Sequence, residues 1–155
     1  MKTIITFALI FLSILTFAQK SEVIADSTQK KNDLYTKSLE WVTITWKSAK
    51  NVIEMNDKDN GVLIVKGGLS TYPKSLGMKA GNGTTMVTLT IRVKDGKVKI
   101  EFSDLKYVDI NFTYISLGEG QDKGIYRKWQ ESCYTEEEDL IQSFKSKVLS
   151  RTNDF

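Results

Sequence analysis

The chain has 155 residues, 41% hydrophobic and 26% charged, with 22 Lys plus Arg against 19 Asp plus Glu, a formal net charge of +3. This is ordinary globular composition; one Pro and ten Gly exclude collagen-like, proline-rich and wholly disordered classes, and the length fits a single domain. No His occurs, which removes imidazole-based serine and cysteine triads, His-ligated zinc or haem, and any switch built on His titration.

Residues 1–18 read as a secretory signal peptide: Lys2 gives a basic start, Ile4 to Leu15 an apolar stretch, and Thr16-Phe17-Ala18 places small residues before Gln19. The apolar stretch falls short of the ~20 residues that a membrane-spanning helix needs, so cleavage after Ala18 and an exported chain without a transmembrane anchor are expected. A lipoprotein would need Cys where Gln19 and Lys20 stand. Removal of the peptide takes away Lys2 as its only charge, and so small a remaining cationic surplus gives no footprint for nucleic acid. Cys133 is the only Cys and reads as a buried, inert thiol with no intramolecular disulfide partner.

Residues 19–155 then read as one α+β domain. Val23-Ile24-Ala25 forms a short first strand and Asp26 to Asn32 a turn. Tyr35, Leu39, Val42, Trp46 and Ala49 share one helical face, widened by Leu34 and Trp41, with Asn32 or Asp33 as N-cap. Val52 to Asp57 and Val62 to Lys66 flank Lys58-Asp59-Asn60-Gly61 as a first hairpin, with Ile53 and Met55 expected on the same face as Leu63 and Val65. A second hairpin joins Thr84 to Lys94 and Lys97 to Leu105 through a type I′ turn at Asp95-Gly96. Its register sets Val93 opposite Val98, Ile91 opposite Ile100 and Leu89 opposite Phe102, with Thr88, Thr90, Arg92, Lys99, Glu101 and Ser103 on the other face.

Between the hairpins, Gly67 to Gly83 reads as a long mobile loop with a short apolar piece at Leu69 to Tyr72. The pattern blurs after Leu105. Thr135-Glu136-Glu137-Glu138 has the form of a capping box opening a last helix with Leu140, Ile141, Phe144 and Val148 as its stripe. The architecture expected is an antiparallel sheet of about four to five strands with two helices packed on one face.

Motifs that carry chemistry are incomplete. Counting from Asp57 as an EF-hand start, Gly61 arrives one position early and Gly68 stands where a bidentate Glu belongs, so the segment reads as a turn and not a calcium loop. Lys66-Gly67-Gly68 lacks the ending of a phosphate-binding P-loop. The acids at 136–139 read as a solvated first helical turn. No cofactor or metal is called for. As contacts for a partner or ligand, Tyr72, Tyr126, Arg127 and Trp129 stand out, because aromatic and guanidinium groups anchor interfaces and these flank glycine-rich stretches; Trp129 is the first candidate for an exposed aromatic contact.

Leu34-Tyr35 with Trp41, Ser48-Ala49-Lys50-Asn51-Val52-Ile53, the turn Asp57 to Gly61, Val65-Lys66-Gly67, and Thr88 to Lys97 together resemble a secreted domain of unknown function described as having a TBP-like fold, common in Bacteroidota. The resemblance covers Val23 to Leu105 and implies the order strand, helix, four strands, helix. It implies no activity, and a fold shared with a DNA-binding protein does not confer DNA binding. In such a source Asp26-Ser27-Thr28 also resembles a bacterial O-glycosylation triplet. The function expected is a non-catalytic, periplasmic or secreted binding or accessory module for an unknown protein or small ligand, the alternatives being a carboxylate- and Lys-based envelope enzyme or a purely structural subunit.

Overall fold

The computed structural model describes residues 21–26, 28–72, 83–109, 114–116 and 123–149; the expected signal peptide lies outside them. The elements in chain order are β1 (Ser21–Ala25), α1 (Lys31–Trp46), the single turn α2 (Ala49–Val52), β2 (Ile53–Asp57), β3 (Val62–Leu69), β4 (Gly83–Lys94), β5 (Lys97–Asp109), β6 (Tyr114–Ser116) and α3 (Lys123–Leu149). The strands form one antiparallel sheet in the order β1-β5-β4-β3-β2, and β6 pairs with the far half of β5. The α+β expectation of an antiparallel sheet with helices on one face holds.

Strict alternation along β4 and β5 creates that one-sidedness. Leu89, Ile91, Val93, Val98, Ile100 and Phe102 are buried beneath the helices, and their register is the one expected: Leu89 opposite Phe102, Ile91 opposite Ile100, Val93 opposite Val98. Leu34, Tyr35, Trp41 and Val42 of α1 and Ile141, Phe144 and Val148 of α3 close the core from above. Trp41 knits the helices together, meeting Phe144 edge-on at 5.0 Å and donating its indole N–H to Ser143 Oγ at 3.1 Å.

The Asp95-Gly96 turn departs from type I′, since Gly96 takes φ 70° but Asp95 stays out of the left-handed region. Asp95 instead sends its carboxylate to the backbone N–H of Lys31 at 2.8 Å, capping the first turn of α1. The N-terminus of that helix is therefore satisfied from a distant hairpin and not by Asn32 or Asp33, which lie inside α1. The same turn holds the β1–α1 connection, where Gly96 N–H donates to Gln29 O at 3.0 Å and Asp26 N–H donates to Gly96 O at 2.9 Å. Gln29 in turn donates to Val148 O at 2.9 Å, so the end of α3 joins the same junction.

Four other expectations are corrected by identifiable physics. Gly67 and Gly68 belong to β3 and not to a loop: the Trp46 indole lies on their backbone, donating to Gly68 O at 3.1 Å, and a Cβ at Gly67 would collide with the ring. Residues 73–82 of that expected loop lie outside the described residues. Met55 does not share a face with Leu63 and Val65, because the register shifts between Ile53 and Met55 and pairs Met55 with outward-facing Ile64. Beyond Leu105 the strand continues to Asp109; Asp104 at φ 53° forms a bulge opposite Val87, switching the inward face from Phe102 to Tyr107. Finally, α3 starts at Lys123 and not at Thr135, whose hydroxyl donates back to Glu131 O within the helix at 3.0 Å.

Phe102→Ala removes a fully buried ring and is expected to cost about 3–5 kcal/mol, while Thr90→Ala on the opposite face changes stability by less than about 0.5 kcal/mol; urea titration of both variants measures the difference. Asp95→Ala is expected to cost about 1 kcal/mol by unfastening the first turn of α1, with Asp95→Asn retaining most of the stability because its amide oxygen can still accept. The same titration checks this, and an Asp95→Ala midpoint equal to that of wild type would mean that the cap contributes nothing.

Candidate functional site

The structure brings together the end of β3 and the first half of α3, the two regions that hold the expected contact residues. Glu136 makes the junction: its carboxylate oxygens accept the backbone N–H groups of Ser70 at 2.6 Å and Thr71 at 2.9 Å. Tyr72 follows directly and packs half-buried against the core. Arg127 is exposed on α3 and pairs with Glu131 at 3.5 Å, one turn along. Tyr126 lies in α3, but its side chain is outside the described residues. Trp129 is only 2% exposed, with its ring edge-on to Tyr107 at 6.4 Å. The expectation of an exposed Trp129 is therefore overturned. Because α3 starts 12 residues before Thr135, Trp129 falls on the inward stripe with Cys133, Glu137 and Ile141 at four-residue intervals.

That stripe gives the acidic run a role other than solvation. Burial raises the pKa of Glu136, but hydrogen bonds from Ser70 and Thr71 outweigh it and hold the carboxyl below its ordinary value. Glu137 is buried. Burial, reinforced by Glu137 and Glu136, pushes the Cys133 thiol up to about 12, which makes it the inert thiol that its sequence context suggests. A carboxylate held ionised by two backbone amides is poorly suited to donate a proton as a general acid. Nearby, Thr85 and Tyr107 are direct neighbours on β4 and β5, and the Thr85 hydroxyl, the Tyr107 hydroxyl and the Trp129 N–H have no hydrogen-bond partner among the described residues.

Among the described residues, no helix lies on the opposite side of the sheet. Two rows cross this open face from edge to edge: Met55, Ile64, Thr90, Glu101 and Ser21 in one, Asp57, Val62, Arg92, Lys99 and Val23 in the next. Glu101 accepts from Arg92 at 2.9 Å and from Lys99 at 3.0 Å. Its carboxyl lies below the ordinary value, chiefly through the Lys99 hydrogen bond, against burial and with further help from both cations. Lys66 pairs with Glu54 at 3.4 Å. The polar centre is bounded at its edge strands by exposed apolar side chains, Val23 at 60% and Met55 at 46% exposure. The Asp57 turn at one end is closed internally, with both carboxylate oxygens taken up by Asn60. On the helix side, a shallow groove of about 380 Å³ between α1 and α3 is lined by Trp41, Ile44, Ser143, Ser146 and Lys147.

Since Glu136 has a lower pKa folded than unfolded, its contribution is complete above the ordinary value of 4.5 and is lost as pH falls through the depressed folded-state value. Between pH 7 and 3, wild type is expected to lose stability more steeply than Glu136→Gln, and the two curves should converge at the acid end. Denaturant midpoints measured across that range decide the matter.

Sequence comparison with curated proteins gives no match. The fold is similar to the crystal structure of a DUF4468 family protein from Bacteroides ovatus ATCC 8483, with a TM-score of 0.60, 11% identity, and coverage of 88% of this chain and 89% of that one. It is also similar to a TBP-like protein from Parabacteroides distasonis ATCC 8503, with a TM-score of 0.55, 12% identity, and coverage of 83% and 93%. The family model for a domain of unknown function (DUF4468) with TBP-like fold matches residues 20–108, from the start of β1 almost to the end of β5. With more than half of its length so matched, the chain belongs to the DUF4468 family.

Proposed function

We propose that this protein is a non-catalytic, exported binding module that recognises its partner on the uncovered face of the sheet. One observation carries the reading: among the described residues, a broad antiparallel face with a threonine and ion-pair centre and exposed Val23 and Met55 at its edges has no covering layer. Such a face offers a rigid, flat platform that presents hydrogen-bonding, charged and apolar side chains together to a partner. Export is supported by the signal-like segment Met1 to Ala18, and the partner is a protein or small ligand of the cell envelope. The end of the sheet holding Tyr72 and Arg127 is a subsidiary contact region at most, given that Trp129 is committed to the core.

Thr88→Gln with Thr90→Gln enlarges the centre of the face without adding charge and leaves the buried side untouched. In pull-downs from an envelope extract of the native host, this double variant is expected to lose the partner that wild type retains, at an unchanged unfolding midpoint. Undiminished retention would move the site off the sheet. Intact mass of the exported protein is expected to correspond to a chain beginning at Gln19.

A further inference from the structure

One corner of the open face holds four cations in two cross-strand pairs. Arg92 lies directly opposite Lys99, and Lys94 directly opposite Lys97. Their inward neighbours Val93 and Val98 are buried, so all four project from the open side. Like charges directly opposite each other across an antiparallel pair repel and destabilise it. Glu101 relieves the first pair by bridging both members. Nothing comparable relieves the second: Lys94 and Lys97 have no ion pair among the described residues, and the acid between them, Asp95, is turned to the helix side to cap α1 through Lys31 N–H. Asp57 at the neighbouring turn is similarly occupied, bound to Asn60 and lying on β2, beyond β3. Beside the block, β1 places exposed Ala25 opposite Lys97 and exposed Val23 opposite Lys99.

We propose that this corner docks onto an anionic phospholipid surface, the phosphate headgroups facing Arg92, Lys94, Lys97 and Lys99 while Val23 reaches the apolar boundary. This rests on the reading of the open face as the working surface and names one partner of it. The block is about 7 Å along the strands and about 5 Å across them, built of exposed, flexible side chains and not of convergent buried donors. A single phosphate ion gains little from such a surface. A planar array of headgroups gains from every cation at once, and a flat sheet meets a flat bilayer without rearrangement. The exposed valine adjoining the cations gives the apolar contact that interfacial binding adds to charge.

Flotation with vesicles tests the proposal, using the protein in the form its host exports, so that wild type and variants share one N-terminus. Wild type is expected to float with equimolar phosphatidylglycerol and phosphatidylcholine vesicles, not with phosphatidylcholine alone, and to be released in ~0.5 M NaCl, where screening is strong. Lys94→Gln with Lys97→Gln is expected to lower the bound fraction about 10-fold. Its unfolding midpoint should equal or exceed that of wild type, because a repulsive pair has been removed. Equal flotation of wild type with both vesicle types, or of wild type and the Lys variant with anionic vesicles, would overturn the proposal. So would binding of wild type to soluble dextran sulfate without vesicle binding, which would assign the block to an acidic polymer. The Thr88→Gln, Thr90→Gln variant should still float. If wild type ignores vesicles while that variant still loses its pulled-down partner, the lipid assignment falls and the open face stands.

Discussion

The turn between β4 and β5 is the constraint on which the rest of the molecule depends. With only Asp95 and Gly96 between them, the two longest strands of the sheet can pair in one register, and that register puts Leu89, Ile91, Val93, Val98, Ile100 and Phe102 on one side. Asp95 then fixes where α1 begins, and Gly96 fixes how β1 enters it. The same commitment that caps the helix leaves the two flanking lysines without their nearest carboxylate. A short loop thus sets the core, anchors the helical layer and charges one corner of the exposed face.

Sidedness is the second theme. The long central strands turn an apolar face toward α1 and α3, and on β5, where the alternation of the sequence would break that rule, the bulge at Asp104 restores it. On β2 the register shift between Ile53 and Met55 acts the other way and turns Met55 outward. The described helices occupy one face, and the other carries the polar residues of the central strands. The arrangement separates what stabilises the domain from what is available for recognition, and substitutions on the open face cost little stability.

How much of this was legible in the sequence depended on whether the deciding interaction was local. The register of the second hairpin near its turn was readable, because the turn and the alternation lie within about twenty residues of each other and agree, while the turn type and the bulge at Asp104 were not. Gly67 and Gly68 were misread as loop because nothing near them in sequence shows that Trp46 needs a strand without side chains to lie on. The start of α3 was misread because Thr135-Glu136-Glu137-Glu138 has the form of a helix cap, while the stronger signal, Trp129, Cys133, Glu137 and Ile141 at four-residue spacing, runs through it. That stripe would also have shown that Trp129 is core and not contact. The cap of α1 could not have been found, since it comes from Asp95, 64 residues away. The open face was legible as polar, but the imbalance of charge at its corner was not, because it depends on which way one aspartate turns.

The pairing of β1 with β5 has a bearing on the order in which the chain can assemble. Ser21 to Ala25 precede the other described strands in the chain, yet their partners, Glu101 back to Lys97, come 72 to 80 residues later. Bringing such distant segments together carries a loop-closure entropy that short hairpins escape, so the β2–β3 and β4–β5 hairpins form first and offer β1 a finished edge. By that order β1 docks last, and until it does the Lys97 to Glu101 edge of β5 presents unpaired backbone groups, the template that an edge strand offers to any other extended chain.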